Sequence, residues 1–244
     1  MKTLVVMLAV SLAIASVAAA DVCIKQETLT DEYYYGGRIR PAQETVAEMW
    51  FGEKKWVYIT EHRKIVVDLT KNSLLFANLD DSTYAETTLP LDWANLADEQ
   101  TVGFLQQYPR KGTVESTDET KKIDGRQCRL FKTTSWIPVD QGKYDERDES
   151  IWASTDLPID WESYGEIQSN IFTLMNYGDE YAEELKKING LPISLDAEVF
   201  IKGFSVKSTE RIQEVIEKDP PADIYSAPKG FTKKEKLSMQ DIRG

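Results

Sequence analysis

The sequence predicts a mainly β fold with inserted helices (α+β), in which a curved antiparallel sheet forms a half-open barrel covered by short helices. Three observations support this prediction. Short runs of β-branched and aromatic residues alternate with polar turns between residues 43 and 89. Similar runs return in the second half of the chain. Two segments interrupt the strands: one follows Asp92 and is expected to be helical, and the other follows Asp160 and has apolar residues at spacings of three and four.

The first group of strands is an antiparallel meander. Trp56 and Tyr58 share one face of their strand, while Val57 and Ile59 share the other. Both faces are therefore partly apolar, as expected where one side packs and the other lines a cavity. The predicted strands are Thr45–Phe51, Trp56–Thr60, Lys64–Leu69, Leu74–Leu79 and Thr83–Thr88.

Two longer helices and one short helix are predicted. Asp92 is the expected N-cap of a helix that continues to about residue 107, and further helices are expected over 161–176 and 179–188. Residues 81–93 and 149–161 are identical at seven of thirteen positions. Each copy is predicted to be a strand, a proline and an Asp-capped helix, either by old duplication or as two solutions to the same junction.

The second group of strands is longer. Asp124-Gly125 predicts a hairpin turn, and Gly203 predicts a bend between the last two strands. The last strand fits a helix equally well near Ile212. The tail 222–244 is polar, with few apolar anchors. The predicted strands are Thr113–Thr117, Thr120–Ile123, Gln127–Trp136, Glu149–Ser154, Ile193–Lys202 and Phe204–Lys218.

Residues 1–20 are typical of a cleavable secretory signal. Lys2 precedes an uncharged run from Leu4 to Val17, and three alanines follow. The alternative, a membrane anchor, is disfavoured because the run is short and ends in Ala. We therefore expect a periplasmic or secreted protein that does not span a membrane after cleavage, with one domain over residues 21–244.

The net charge argues against nucleic acid as a partner. The full chain carries a formal charge of −12, and removal of Lys2 makes it one unit more negative. Such a surface repels phosphates, and the sequence has no basic cluster. Anionic lipid head groups are likewise expected to contribute little.

Two cysteines remain, Cys23 and Cys128. An even number in an exported chain predicts a disulfide between them. The alternative is two separate thiols. Two cysteines and one histidine cannot complete a structural zinc site, so no metal is expected.

The predicted layout resembles the LolA-like half-open β-barrels of the bacterial envelope, a superfamily that includes periplasmic lipoprotein carriers. The resemblance depends on the signal segment, the meander Val46–Thr88, the inserted capped helices and the closing "IYSAPKGF" at Ile224–Phe231. It extends over most of the mature chain, but no residue-level signature of the family is present. It implies a hydrophobic ligand, and a shared fold alone does not establish that function.

Few residues suggest catalysis. His62 lies in a charged turn with no nucleophile motif nearby, and the chain has no glycine-rich phosphate loop. Paired carboxylates are possible wherever acidic residues are frequent. The densest acidic run, Asp145–Glu149, is expected to be a hydrated strand entrance that binds no calcium. We therefore expect no enzyme and no cofactor.

The aromatic residues suggest a binding site. If the sheet curves and the helices cover it, several aromatic side chains meet inside, where they either line an apolar pocket or fill the core. The expected function is non-catalytic binding or transport of a lipid or lipoprotein acyl chain. Two alternatives are an envelope protein-interaction or sensor module and a carboxylate-dependent glycan hydrolase. The candidate ligand-binding residues are Trp50, Trp56, Tyr58, Phe76, Trp136, Trp152, Phe172 and Met175.

Overall fold

The computed structural model describes residues 20–201 and 204–243. Its main element is one curved sheet of twelve strands. The predicted mainly β fold with a few short helices is confirmed. The edge strands of this sheet do not pair with each other, so it is not a closed barrel. Apart from Ala20, the predicted signal segment lies outside the described residues.

The secondary-structure elements follow the chain in this order. The strands are β1 (Asp21–Thr30), β2 (Tyr33–Tyr35), β3 (Arg38–Arg40), β4 (Gln43–Gly52), β5 (Lys55–Ile59), β6 (Arg63–Asp68), β7 (Ser73–Asn78), β8 (Thr83–Thr88), β9 (Lys111–Ile123), β10 (Arg126–Val139), β11 (Gly142–Ser154), β12 (Leu191–Ile201), β13 (Phe204–Lys218) and β14 (Thr232–Lys233). The helices are α1 (Trp93–Leu96), α2 (Glu99–Gln107), α3 (Trp161–Leu174), α4 (Asp179–Leu185) and α5 (Met239–Arg243).

The strand order in the sheet is β14-β8-β7-β6-β5-β4-β1-β13-β12-β11-β10-β9. All neighbours are antiparallel except β14 and β8. Strand β1 joins the meander to the second group of strands, because it pairs with both β4 and β13. The sequence patterns predicted no element over residues 21–42. Within β1, Val22–Ile24 is apolar and the remaining residues are mostly polar.

The inner face of the sheet carries the main core. We define it as the face bearing Ile24, Met49 and Phe76, which pack in one buried cluster; Ile24 and Met49 lie opposite each other on β1 and β4. Helix α3 packs on this face through Ile167 and Leu174. A second inner cluster lies farther along the sheet, where Phe131 and residues of α4 pack together.

The outer face is covered over the meander by the C-terminal segment. Cys23, Trp50 and Val57 lie opposite one another in neighbouring strands and form a buried cluster on this face. Ile224, Tyr225, Ala227 and Phe231 pack against it. Lys64 fixes the segment, because its ammonium donates a hydrogen bond of 2.8 Å to the Ser226 carbonyl. Both faces of the meander are thus packed, which explains why both are apolar.

The predicted helix caps are confirmed. The Asp92 carboxylate accepts a hydrogen bond from the Ala94 N–H, and the Asp160 carboxylate accepts from Glu162 and Ser163. The single helix predicted after Asp92 is divided in two, because Ala97 is extended and Asp98 caps a second helix.

The last predicted strand, which also fitted a helix, is the strand β13. It has a neighbour on both sides, β1 and β12, and its pairing explains why the helical pattern is not used. No helix within the described ranges is long and apolar enough to cross a membrane.

Candidate functional site

The outer face of β9–β13 forms an open polar trough with a volume of about 590 Å³. This volume lies within the usual range for small-ligand sites. The residues that line the trough are Glu115, Lys132, Thr133, Thr134, Asp148, Glu149, Ser150, Asp196, Ala197, Glu198, Lys207, Ser208 and Thr209.

Strand pairing arranges the lining in two rows that cross the strands. Alternation along the strands places these rows on the outer face, because intervening residues such as Phe131 and Leu195 pack on the inner side. Thr133, Glu149, Ala197 and Ser208 line the trough between the two rows. One row is Glu115, Lys132, Ser150, Asp196 and Thr209; the other is Thr134, Asp148, Glu198 and Lys207.

The two rows carry four carboxylates, two ammonium groups and several hydroxyl groups. The Thr134 hydroxyl donates a hydrogen bond of 2.7 Å to Asp148, and the Arg211 guanidinium donates one of 2.6 Å to Asp196. Asp148 and Asp196 remain exposed. The arrangement therefore suits a polar ligand that donates hydrogen bonds and carries positive charge.

The trough is the part of the outer face that the C-terminal segment leaves open. That segment packs on β4–β8 through the cluster around Trp50. None of its described residues lines the trough. The same sheet face thus changes from buried and apolar over the meander to exposed and polar over β9–β13.

A buried ion network supports the inner face behind the trough. The guanidinium of Arg110 donates hydrogen bonds to the Asp145 side chain and, at 3.0 Å, to the Asp145 carbonyl. Arg147 donates to the same carboxylate at 3.0 Å. Asp145 has a φ of +51°, a left-handed conformation that is uncommon for residues other than glycine. The network therefore fixes this left-handed residue of β11 next to the segment that follows α2.

Two glutamates lie near this network. The Thr133 hydroxyl donates a hydrogen bond of 2.7 Å to Glu149. Gln26 donates one to Glu210. Burial, together with the charge of Glu149, raises the pKa of Glu210. Burial also raises the pKa of Tyr58, and the negative charge of Glu210 raises it further. The hollow beside Glu210 has no room for a water molecule.

The predicted aromatic site is divided among separate places. Trp56 and Phe76 are buried in the main inner cluster, and Tyr58 packs against it with its ring stacked on Trp56 at 5.9 Å between centroids. Trp152 also packs against that cluster. Trp50, with 1% of its surface exposed, lies on the opposite face.

The remaining candidates lie farther away from this cluster. Phe172 belongs to the second inner cluster, and Met175 is 54% exposed at the end of α3. Trp136 is partly exposed, with the Lys143 ammonium 4.0 Å from its ring centroid. The eight side chains therefore do not line one common cavity.

The predicted disulfide is wrong, because Cys23 and Cys128 are both buried free thiols. Their strands, β1 and β10, are four positions apart in the sheet order. Cys23 packs in the outer cluster under the C-terminal segment, whereas Cys128 packs in the main inner cluster. A disulfide requires Cα atoms within about 7 Å. Burial raises the pKa of both thiols, which lowers their reactivity.

The trough was not among the sites predicted from the sequence. The sequence feature that could have indicated it is the alternation of polar outward-facing residues with inward-facing residues in β10–β12. In β11, for example, Asp148 and Ser150 flank Glu149. The acidic run 145–149 was expected to be a hydrated strand entrance. It lies instead well within β11, where Asp145 is buried and Asp148 faces the trough. Among the described residues, no cluster of three His, Cys, Asp or Glu side chains is placed to bind a metal.

No family model and no curated protein matches the chain. Two crystal forms of PNGF-II are similar to it in structure, with TM-scores of 0.39 and 0.44 at 11% and 13% identity. They cover 90% and 92% of this chain but 32% and 33% of PNGF-II, so the chain spans about a third of that protein's length.

A DUF1329 family protein from Desulfovibrio piger is also similar, with a TM-score of 0.30 and 9% identity. The match covers 85% of this chain and 89% of that protein. Similarity at this level assigns neither a family nor an activity to the chain.

Proposed function

We propose that this chain is an exported, non-catalytic binding protein whose ligand is an extended, positively charged polar segment of a partner. The observation that carries the proposal is the open trough on the outer face of β9–β13. A volume of about 590 Å³ on a broad sheet face suits a short extended segment. Its hydroxyl groups and carboxylates would accept hydrogen bonds from lysine, arginine and amide donors of that segment.

Charge favours a cationic ligand over an anionic one. The rows of the trough carry twice as many carboxylates as ammonium groups, and the whole chain has a formal charge of −12. Complementary charge increases the association rate and excludes partners of the wrong sign. Binding is therefore expected to weaken as salt is added.

Two predictions from the sequence remain predictions beside this proposal. An acyl chain needs an apolar hollow, whereas the aromatic side chains named for it pack in separate clusters. A carboxylate hydrolase would use Glu149 and Glu210. Hydrogen bonds from Thr133 and Gln26 already engage both carboxylates. We therefore propose binding without catalysis.

A peptide-binding experiment tests the proposal. The probe is a fluorescent extended peptide of alternating lysine and serine, and an alternating glutamate and serine peptide is its counterpart. We expect the full chain to bind the first peptide and not the second. Neutralising three trough carboxylates with Asp148→Asn, Asp196→Asn and Glu198→Gln is expected to weaken binding at least tenfold.

A matched control makes the same charge change elsewhere. Glu53→Gln, Glu61→Gln and Asp140→Asn remove three exposed carboxylates that do not line the trough. This variant is expected to bind within about twofold of the unmodified chain. Equal weakening by both triple variants, or no binding of the lysine peptide, would contradict the proposal.

A further inference from the structure

Two carboxylates of the trough lie directly opposite each other in the sheet. Asp148 on β11 is the register partner of Glu198 on β12, and both line the trough. Like charges in directly opposed positions of neighbouring strands destabilise a sheet. Asp148 accepts a hydrogen bond from Thr134, but neither carboxylate forms an ion pair with a cation among residues 20–201 and 204–243. A cation supplied by a ligand would relieve this repulsion.

A third carboxylate stands beside this pair. Asp196 lies two residues before Glu198 on β12, so the two side chains share the outer face. The Arg211 guanidinium donates a hydrogen bond of 2.6 Å to one oxygen of Asp196, and 49% of the Asp196 side chain remains exposed. We call Asp148, Asp196 and Glu198 the carboxylate centre. Its negative charge exceeds what this one arginine neutralises.

The two lysines of the trough stand on either side of the carboxylate centre. Lys132 is on β10 and Lys207 is on β13, whereas the centre is on β11 and β12. Both lysines are exposed. Glu115 and Glu198 are their opposed partners in the sheet, but neither ammonium group forms an ion pair within the part of the chain that the structure describes. Both are therefore available to anionic groups of a ligand that spans the trough.

The spacing of these charges matches an extended chain. Neighbouring strands are about 4.8 Å apart, so β10 and β13 are separated by roughly 14 Å. An extended segment advances about 3.4 Å per residue, and alternate side chains point to the same side, so positions i and i+4 are also roughly 14 Å apart. Position i+2 lies midway. Flexible lysine side chains cover the offset between the two rows. A segment lying across the strands can therefore reach both lysines and the carboxylate centre with alternate side chains.

We propose that the segment bound in the trough has an acidic–x–basic–x–acidic pattern, in which the basic side chain contacts the carboxylate centre and the two acidic side chains contact Lys132 and Lys207. This inference rests on the proposed function and specifies the order of charges in the ligand. Further basic residues outside the pattern keep the whole segment positively charged. The flanking lysines set the register of the segment, because a shift by two residues places like charges together.

Peptide binding to the full chain, measured by fluorescence anisotropy, tests the inference. The first probe has the order Lys-Ser-Glu-Ser-Lys-Ser-Glu-Ser-Lys. The second has the same composition in the order Glu-Ser-Lys-Ser-Lys-Ser-Lys-Ser-Glu. Both have the same net charge, but only the first has a lysine flanked by two glutamates at the required spacing. We expect the first probe to bind about fivefold more tightly than the second.

Removal of the two trough lysines is expected to abolish this preference. The double variant Lys132→Gln with Lys207→Gln is expected to bind the two probes within about twofold of each other, because the flanking glutamates then have no ammonium partner. Lys54→Gln with Lys122→Gln is the matched control, since both are exposed lysines that do not line the trough. The control is expected to keep the preference of the unmodified chain.

Equal binding of the two probes by the unmodified chain overturns the inference, and so does a preference that survives in the Lys132→Gln and Lys207→Gln double variant. Loss of the preference in the control variant also overturns it. If the unmodified chain binds the alternating lysine and serine peptide but prefers neither probe, the proposed function stands and this inference fails. Binding of no lysine-containing peptide overturns both.

Discussion

Arg110 and Asp145 form an ion pair in which the two side chains are only 10% and 12% exposed. Arg110 follows α2, and Asp145 occupies a left-handed position in β11. The pair therefore connects the first helical insert to the strands behind the trough. Ser135, which accepts a hydrogen bond of 3.2 Å from Arg110, adds β10 to the same connection.

Replacement of Arg110 is expected to destabilise the fold. Arg110→Ala leaves the buried Asp145 carboxylate with Arg147 alone, and breaking a buried pair from one side typically costs about 3 kcal/mol. Urea unfolding measures the loss. Lys229→Ala is the control, because the ion pair of Lys229 with Asp223 is exposed and such pairs contribute little to stability. Equal losses in the two variants would show that the network does not stabilise the second half of the sheet.

Glu210 gives a pH-dependent prediction. Its pKa is raised by burial and by Glu149, so the folded chain holds this proton to a higher pH than the unfolded chain does. Stability attributable to this group is therefore full below the unfolded pKa and is lost as pH rises through the folded pKa. Glu210→Gln keeps an acceptor for Gln26 and removes the charge.

Urea unfolding at pH 7 and pH 4 measures this effect. At pH 7, Glu210→Gln is expected to stabilise the chain by on the order of 1 kcal/mol. At pH 4 the difference is expected to shrink towards zero. The exposed Glu217→Gln serves as a control with little effect at either pH. A gain at pH 4 that exceeds the gain at pH 7 would have the wrong sign for this explanation.

Gly112 is expected to be irreplaceable in β9, since a Cβ there would lie 2.5 Å from the Tyr181 ring and 2.7 Å from the Thr134 carbonyl oxygen. Gly112→Ala is expected to push α4 away from the sheet and to destabilise it by about 2 kcal/mol. Gly103→Ala, in α2 with nothing within 4 Å, is expected to stabilise by up to about 1 kcal/mol. Thermal unfolding compares the two variants, and a stable Gly112→Ala variant would place α4 farther from β9.

The two thiols give a chemical prediction. Intact-mass measurement of the denatured chain, with and without reductant, is expected to give the same mass, and both thiols are expected to react with a thiol reagent only after unfolding. Cys23→Ala and Cys128→Ala test each position singly. A mass increase of about 2 Da on reduction would establish the disulfide that the packing separates.

The meander and the helix caps could be predicted because their signals are local. Strands β4–β8 alternate with polar turns, and the side chains of Asp92 and Asp160 cap the helices that directly follow them. Strand β1 was missed for the opposite reason. Its polar residues are ordered by pairing with β4 and β13, and β13 is almost two hundred residues away.

The candidate site was predicted less well than the fold. The sequence shows that Trp50 and Trp56 are aromatic but not which face of the sheet each side chain occupies. Strand pairing sets Trp50 opposite Val57, the neighbour of Trp56, so the two rings lie on opposite faces, and the C-terminal segment packs over Trp50. The trough depends on the register of five strands, which aligns Lys132, Ser150 and Asp196 in one row across β10–β12. Local patterns do not contain that register. The disulfide prediction failed for a similar reason, because the number of cysteines in a sequence does not give the distance between them in the fold.

The most direct measurement of the proposed function is a two-dimensional amide NMR titration of the full chain with the lysine–serine peptide. The account predicts chemical-shift changes concentrated at Ser150, Asp196 and Thr209 in the trough, and none at Trp50 or Val57 beneath the C-terminal segment. Changes confined to the inner face around Tyr58 and α3, or a spectrum that the peptide leaves unchanged, would contradict it.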